Sequence, residues 1–398
     1  MVQQMNSASR RCRRLNSLGR HKRVAIEWDH PIAREALQIQ KIGALRRWTL
    51  SIDRRIGPVK RAIAAIALVL ATSAAGGAAA QQPIELKLLD RFPVDHYIAR
   101  YATLYWIDEV QKATGGAVKI QRYPSESLGK SKDMLTLVKA GVTDMGEFFP
   151  GYLGAPMALS TIGELPGLVP NACAASLAYE ELARPGGIID KAELVPAGVR
   201  MLYVVGLPQY ELFTSRKIES VASLGGLKIR SSGATMDAGL RSVGIVPIRM
   251  GAPELHESFS RKTVDGTAFP IASLYPYDLA KLVKYGTVGG TFGSSITFYG
   301  ISSRVWDKLP AAVQAAMLEA GERTTRRACA LIDRDNEEAF RTLEQGGATL
   351  VRFTPEQGEA LRALYAPVTQ EWATALDGRG KPGSEVLTRF REAVARGQ

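Results

Sequence analysis

The chain has 398 residues, 46% hydrophobic and 23% charged, an ordinary balance that excludes a collagen, a coiled-coil rod, a disulfide-dense toxin and a multi-pass membrane protein. Its formal net charge of +12 would suit a nucleic-acid binder if it lay on one working face. Residues 1–80, however, hold 15 of the 51 Lys and Arg and 4 of the 39 Asp and Glu, a net of +11, which leaves +1 for residues 81–398. A nearly neutral body has little to offer a phosphate backbone, so no nucleic-acid partner is expected.

In chain order, Lys60-Arg61 precede an apolar run from Ala62 to Ala71, and small residues follow, ending in Ala78-Ala79-Ala80-Gln81. A basic start, a short apolar core and an A-x-A exit make residues 60–80 a secretory signal peptide, with cleavage near Ala80/Gln81 and a periplasmic destination. The alternative is a membrane anchor, but the run is about half the roughly 20 residues a spanning helix needs. Residues 1–59 are Arg-rich and aperiodic and read as a misannotated or disordered extension, with Val59 as a candidate start. Arg54-Arg55 would fit twin-arginine export only poorly beside Asp53 and Ile56-Gly57-Pro58.

The mature chain is too long for one small core and suits two domains. Residues 84–89 alternate as a strand. Thr103, Trp106, Val110 and Ala113 share a helical face that Gly115-Gly116 ends. Residues 117–123 alternate again. Ser131 can cap a helix carrying Met134, Leu135 and Val138, and 144–149 form a third strand. This order predicts a parallel α/β sheet. The pattern recurs: strands at 199–206 and 227–230, a helix at 234–243, a strand at 245–248, a helix from Pro253, and strands at 266–269 and 296–302. Pro310 opens a helical stretch to about Leu343, about 50 Å long, enough to bridge two lobes. Thr354-Pro355-Glu356-Gln357 carries a capping-box start. Cys173 and Cys329 lie in apolar helical stretches and read as buried free thiols, although export also permits a disulfide.

The dinucleotide, P-loop, nucleophile-elbow and zinc-protease motifs are all missing, and beyond residue 80 only His96 and His256 could serve a triad. No catalysis, cofactor or metal is expected. An exported two-lobed α/β chain with a cleft at its strand ends reads as a binder.

Several segments carry a resemblance. Trp106-Ile107-Asp108-Glu109-Val110-Gln111-Lys112-Ala113-Thr114-Gly115-Gly116 is followed by Tyr123-Pro124, Leu128-Gly129 and Gly141-Val142-Thr143-Asp144-Met145-Gly146. Later come Leu224-Gly225-Gly226-Leu227-Lys228-Ile229-Arg230, Thr263-Val264-Asp265-Gly266 and Trp306-Asp307-Lys308-Leu309-Pro310. In this order they resemble the solute receptors of tripartite ATP-independent periplasmic (TRAP) transporters, of the dicarboxylate-binding-protein type. The resemblance spans residues 84–398. It implies a two-lobed periplasmic-binding fold with hinge strands and a long bridging helix, lobe I comprising 84–206 plus 292–335 and lobe II 207–291 plus 336–398. The implied function is capture of a small organic acid and its delivery to integral membrane permease subunits. A periplasmic sensing subunit is the alternative, and an exported hydrolase a remote third.

The resemblance makes Arg230 the carboxylate anchor, where a planar guanidinium offers two parallel charged donors. Phe269 stands where relatives carry a hydrogen-bonding asparagine. Pro208-Gln209-Tyr210-Glu211 stands where some carry a second arginine. Both departures remove polar grip and argue against a sugar acid. Phe148, Phe149, Tyr210 and Phe269 together point to an apolar or aromatic carboxylate. Glu147 resembles a pocket-lining position, and His96 and Tyr97 follow the first strand in a loop that faces the cleft in relatives. Asp265 reads as a turn residue and Arg249 as a weaker anion candidate.

Overall fold

The first alternating segment beyond residue 80 forms β1 (Ile84–Leu89) in the computed structural model, which describes residues 83–397. Residues 60–80, expected as a signal peptide, and residues 1–59 before them lie outside that range. A wide helical turn at Ala99–Thr103 leads into α1 (Leu104–Ala113), which buries Trp106 and Val110. Then come β2 (Val118–Tyr123), α2 (Met134–Lys139), β3 (Met145–Phe148), α3 (Ala172–Ala183) and β4 (Val199–Leu207). Ser131 does not cap α2 with its side chain; a single 3-10 turn, Ser131–Asp133, leads into that helix instead. The chain then crosses to β5 (Glu211–Thr214), β6 (Lys228–Ser231), α4 (Ala234–Ser242), β7 (Val246–Arg249), α5 (Leu255–Ser260), β8 (Gly266–Phe269) and β9 (Tyr285–Val288). It returns as β10 (Ser295–Ser302), followed by α6 (Ala311–Gln345), β11 (Thr349–Arg352), α7 (Pro355–Asp377) and α8 (Gly383–Arg396). The Thr354–Gln357 capping box of α7 is present as expected.

The strands form two sheets, ordered β2-β1-β3-β10-β4 and β11-β9-β5-β8-β6-β7. Neither is wholly parallel, which corrects the sequence expectation. In the first sheet β10 runs antiparallel to β3 and β4, and in the second β5 runs antiparallel to β8 and β9. The cause is the crossing itself. β4 ends at the gap between the sheets, so the chain enters the second sheet from its gap edge and β5 must run away from it. β9 ends at the gap in turn, and β10 re-enters the first sheet reversed. The remaining strands keep their carboxyl ends at the gap, where ligands of open α/β sheets sit.

The long helix α6 crosses from one lobe to the other. Trp106 donates its indole N–H to the Met317 carbonyl at 3.1 Å. Gly321 lies so close to β4 that a Cβ there would meet the Leu202 carbonyl at 2.0 Å. At its far end Leu343 is buried with Phe213 and Leu274 under the second sheet.

Two expectations are corrected here. Cys173 and Cys329 are not free thiols: they form a disulfide with Cα atoms 4.7 Å apart, joining α3 to α6. Their apolar neighbours gave the thiol reading; pairing depends on two helices meeting across 156 residues of chain. Nor does all of 336–398 side with the second lobe. Leu387, Phe390 and Val394 of α8 share a core with Tyr179 and Leu182 of α3, because the apolar stripe of α8 finds its partner under the first sheet.

Candidate binding cleft

β1, β3, β6 and β8 deliver their carboxyl ends to one narrow cleft, lined by Arg91, Phe149, Tyr152, Tyr210, Arg230 and Phe269. The lobes are closed on it. The remaining cavity, about 10 Å3, has room for roughly one water molecule. Admission of a ligand therefore requires the lobes to part.

Arg230 is buried, 1% exposed, near the end of β6. Its Nε donates to the Met250 carbonyl at 3.1 Å and its Nη2 to the Tyr152 hydroxyl at 2.7 Å. No carboxylate pairs with it among the described residues, and its guanidinium stands 5.4 Å from the Phe269 ring centre. Tyr152 comes from the first lobe. Its oxygen accepts from Arg230 and also from the Ala252 amide at 2.8 Å, so its own proton remains available to a further acceptor. This contact joins the two walls. Tyr97 and Ser273 join them again at 3.2 Å, as do the hydroxyls of Thr235 and Thr161 at 2.9 Å. Gly233, at the start of α4, rests on Gly151: a Cβ on Gly233 would meet the Gly151 carbonyl at 2.4 Å.

The first-lobe wall holds a second buried guanidinium, Arg91, just past β1. It bonds to Glu147, and its Cζ lies 4.4 Å from the ring centres of both Phe92 and Phe149. Glu147 also accepts from the Thr297 hydroxyl.

Of the residues expected at the site, Arg230, Phe269, Phe149, Tyr210 and His96 line the cleft. Glu147 lies behind Arg91 as its partner rather than on the lining. Phe148 does not reach the cleft. Strand side chains alternate, so it points to the opposite face and stacks on Phe298 in the core, ring centres 5.1 Å apart. Tyr97 bridges the lobes beside the cleft and faces a neighbouring groove. Asp265 accepts from the Lys228 amide at 2.8 Å, which holds the turn before β8, and Arg249 pairs with Asp237. Arg91, Tyr152 and Tyr277 were missed. Tyr152 and Arg91 lie within five residues of an expected position and Tyr277 eight beyond Phe269, but nothing local marks their side chains as convergent.

Burial first, then the nearby charges of Arg91, Arg122 and Arg100, push the His96 imidazole well below its usual range, so it is neutral at pH 7. Burial pushes the Glu164 carboxyl up to about 8, against the opposing pull of Arg230. It sits against Gly151, where a Cβ would strike its Oε1. At neutral pH the protonated form is favoured, so it balances little of the Arg230 charge. Among the described residues no cluster of His, Cys, Asp and Glu could hold a metal ion.

Residues 93–375 match the family model for bacterial extracellular solute-binding protein, family 7. The C4-dicarboxylate-binding periplasmic protein of Rhodobacter capsulatus is 24% identical over 295 residues, 72% of this chain and 84% of that protein. A TRAP solute-binding protein from Rhodoferax ferrireducens, solved with copurified benzoate, superposes with a TM-score of 0.73 at 21% identity, covering 79% of this chain and 98% of that one. Another from Bordetella bronchiseptica, solved with (R)- and (S)-mandelate, superposes with a TM-score of 0.72 at 25% identity, covering 79% and 99%.

Proposed function

The chain belongs to the family-7 bacterial extracellular solute-binding proteins, the TRAP solute receptors, and from that premise we propose that it captures a small organic acid with an apolar or aromatic body and delivers it to TRAP permease subunits in the membrane. The observation that carries the reading is Arg230: a guanidinium buried between two lobes, bonded only to neutral oxygens, and walled by aromatic rings. A buried charge without a counter-ion is costly, and a ligand carboxylate supplies what is missing. Its two oxygens would take the fork of Arg230, and the free proton of Tyr152 would add a third bond. Phe149, Phe269 and Tyr210 would enclose the apolar body. This agrees with the benzoate and mandelate of the two solved relatives.

The working location is the periplasm, with Gln81 as the mature N-terminus. The cleft captures and releases its ligand unchanged, and nothing among the relatives favours sensing over transport. A thermal-shift screen of aromatic, aliphatic and polyhydroxylated carboxylates tests the reading, because a ligand held only by the native state raises its melting temperature. Aromatic acids are expected to stabilise. Stabilisation by sugar acids alone would reject the apolar body, and stabilisation by no acid would reject the carboxylate.

A further inference from the structure

The cleft contains two buried arginines, yet their charges are not equivalent. Arg91 bonds to Glu147, and both side chains are almost wholly removed from water, at 4% and 0% exposed. Behind them Arg122 pairs with Asp90 at 2.8 Å, another balanced couple. Arg249 pairs with Asp237 beyond the second wall. His96 is neutral and Glu164 mostly so at pH 7. The sum over the cleft is one uncompensated positive charge, that of Arg230.

We propose that Glu147 is a specificity-determining residue that acts through Arg91: by neutralising the second guanidinium it restricts the cleft to ligands with one negative charge, so that monocarboxylates bind and dicarboxylates are refused. The inference rests on the organic-acid reading above and sharpens it to a charge class. A second carboxylate brought into the closed cleft would have to displace Glu147 from Arg91 or lie unpaired, and either choice leaves one carboxylate dehydrated without a partner. The rings of Phe92 and Phe149 flank the Arg91 guanidinium and surround it with apolar surface. It thus borders the site as a polarisable wall rather than a free cation. Thr297, which also donates to Glu147, fixes the carboxylate from behind.

The experiment is calorimetric titration, at pH 7.5, with paired probes of similar body: benzoate against benzene-1,3-dicarboxylate, and butyrate against succinate. The parent should prefer the monocarboxylate of each pair. Glu147→Gln keeps the shape and a carbonyl acceptor for Thr297 but frees the charge of Arg91. The dicarboxylate-to-monocarboxylate affinity ratio should then rise at least tenfold, since a desolvated charge pair has been made available. The double variant Arg91→Gln/Glu147→Gln removes both charges, and the ratio should return to the parent's. A purely structural role for Glu147 would lower both affinities together and leave the ratio fixed, which would overturn the inference. So would a parent that prefers dicarboxylates, while leaving the organic-acid reading intact. A parent that binds no acid at all would overturn the reading and the inference together. If Glu147→Gln fails to fold, Arg91→Gln decides. It leaves Glu147 unbalanced and the cleft with no net charge, so the monocarboxylates should lose at least tenfold, and undiminished binding overturns the inference.

Discussion

The two walls of the cleft are built alike and behave differently. Each brings a guanidinium from near a strand's end and sets it against aromatic rings: Arg91 with Phe92 and Phe149 on the first lobe, Arg230 with Phe269 on the second. On the first lobe the third strand returns an acid, Glu147, to the same spot. On the second, the corresponding contacts are a backbone carbonyl and a phenol. Burial alone therefore does not make an arginine a binding group. What matters is whether the fold has already supplied its counter-ion.

The strongest way to break the comparison is to remove the unpaired member. Arg230→Ala should weaken binding of the best acid from the screen by about 2–5 kcal/mol, roughly thirty- to several-thousand-fold. Arg230→Lys should also bind poorly, because one ammonium cannot make two parallel bonds. Calorimetry on folded variants measures both, and near-parental affinity would remove Arg230 from the site. A smaller loss should follow from keeping the walls apart without touching either. Gly233 has extended backbone that alanine can adopt, so the cost of Gly233→Ala is the clash of its methyl with Gly151 on the opposite lobe. At about 1–3 kcal/mol for overpacking, affinity should drop roughly five- to a hundredfold. Small-angle scattering should show a larger radius of gyration than the parent at saturating ligand; parental closure would mean that the contact yields. Tyr152→Phe deletes the hydroxyl that joins the walls. One hydrogen bond of about 0.5–1.5 kcal/mol predicts a two- to tenfold loss in the same titration, roughly.

The subtlest test concerns Glu164, the acid that could have been Arg230's counter-ion. Its folded carboxyl titrates near 8, above its ordinary 4.5. A group with a raised folded pKa gives stability that is complete below its unfolded pKa and lost as pH rises through the folded one. Glu164→Gln cannot lose a proton. Its melting temperature relative to the parent should therefore climb between pH 5 and pH 9. An offset constant with pH would mean that Glu164 is ionised throughout, that Arg230 has its partner after all, and that the two walls are equivalent.

Long alternating or periodic segments were legible because one face of each is buried: β1, β2, α1 and α6 fall where expected. β5, β9 and β11 were not, since four residues such as Glu211-Leu212-Phe213-Thr214 carry too few alternations to show a period. The antiparallel setting of β5 and β10 follows from the crossing between sheets, which no local pattern records. In the cleft, Arg230 and Phe269 were legible through the order of the segments around them. Phe148 was misplaced because successive strand side chains alternate, so its two neighbours face the cleft side while it faces the core. Arg91 was illegible for a deeper reason: its meaning depends on Glu147, 56 residues away. A chain displays charges one at a time, whereas their compensation exists only in the fold.

The disulfide also determines how the long helix can move. Cys329 bolts α6 to the first lobe, and sixteen residues run from there to Gln345, an arm of about 24 Å. A lobe rotation of about 15° would sweep the far tip of such an arm through roughly 6 Å. That tip is embedded by Leu343 in the core of the second lobe. The helix is thus a lever with a covalent fulcrum on one lobe and a packed load on the other, and each opening must flex the arm between them. An oxidising compartment is what gives the lever its fixed pivot. Reduced protein should show a wider spread of unliganded scattering profiles than oxidised protein, because α6 can then swing from either end.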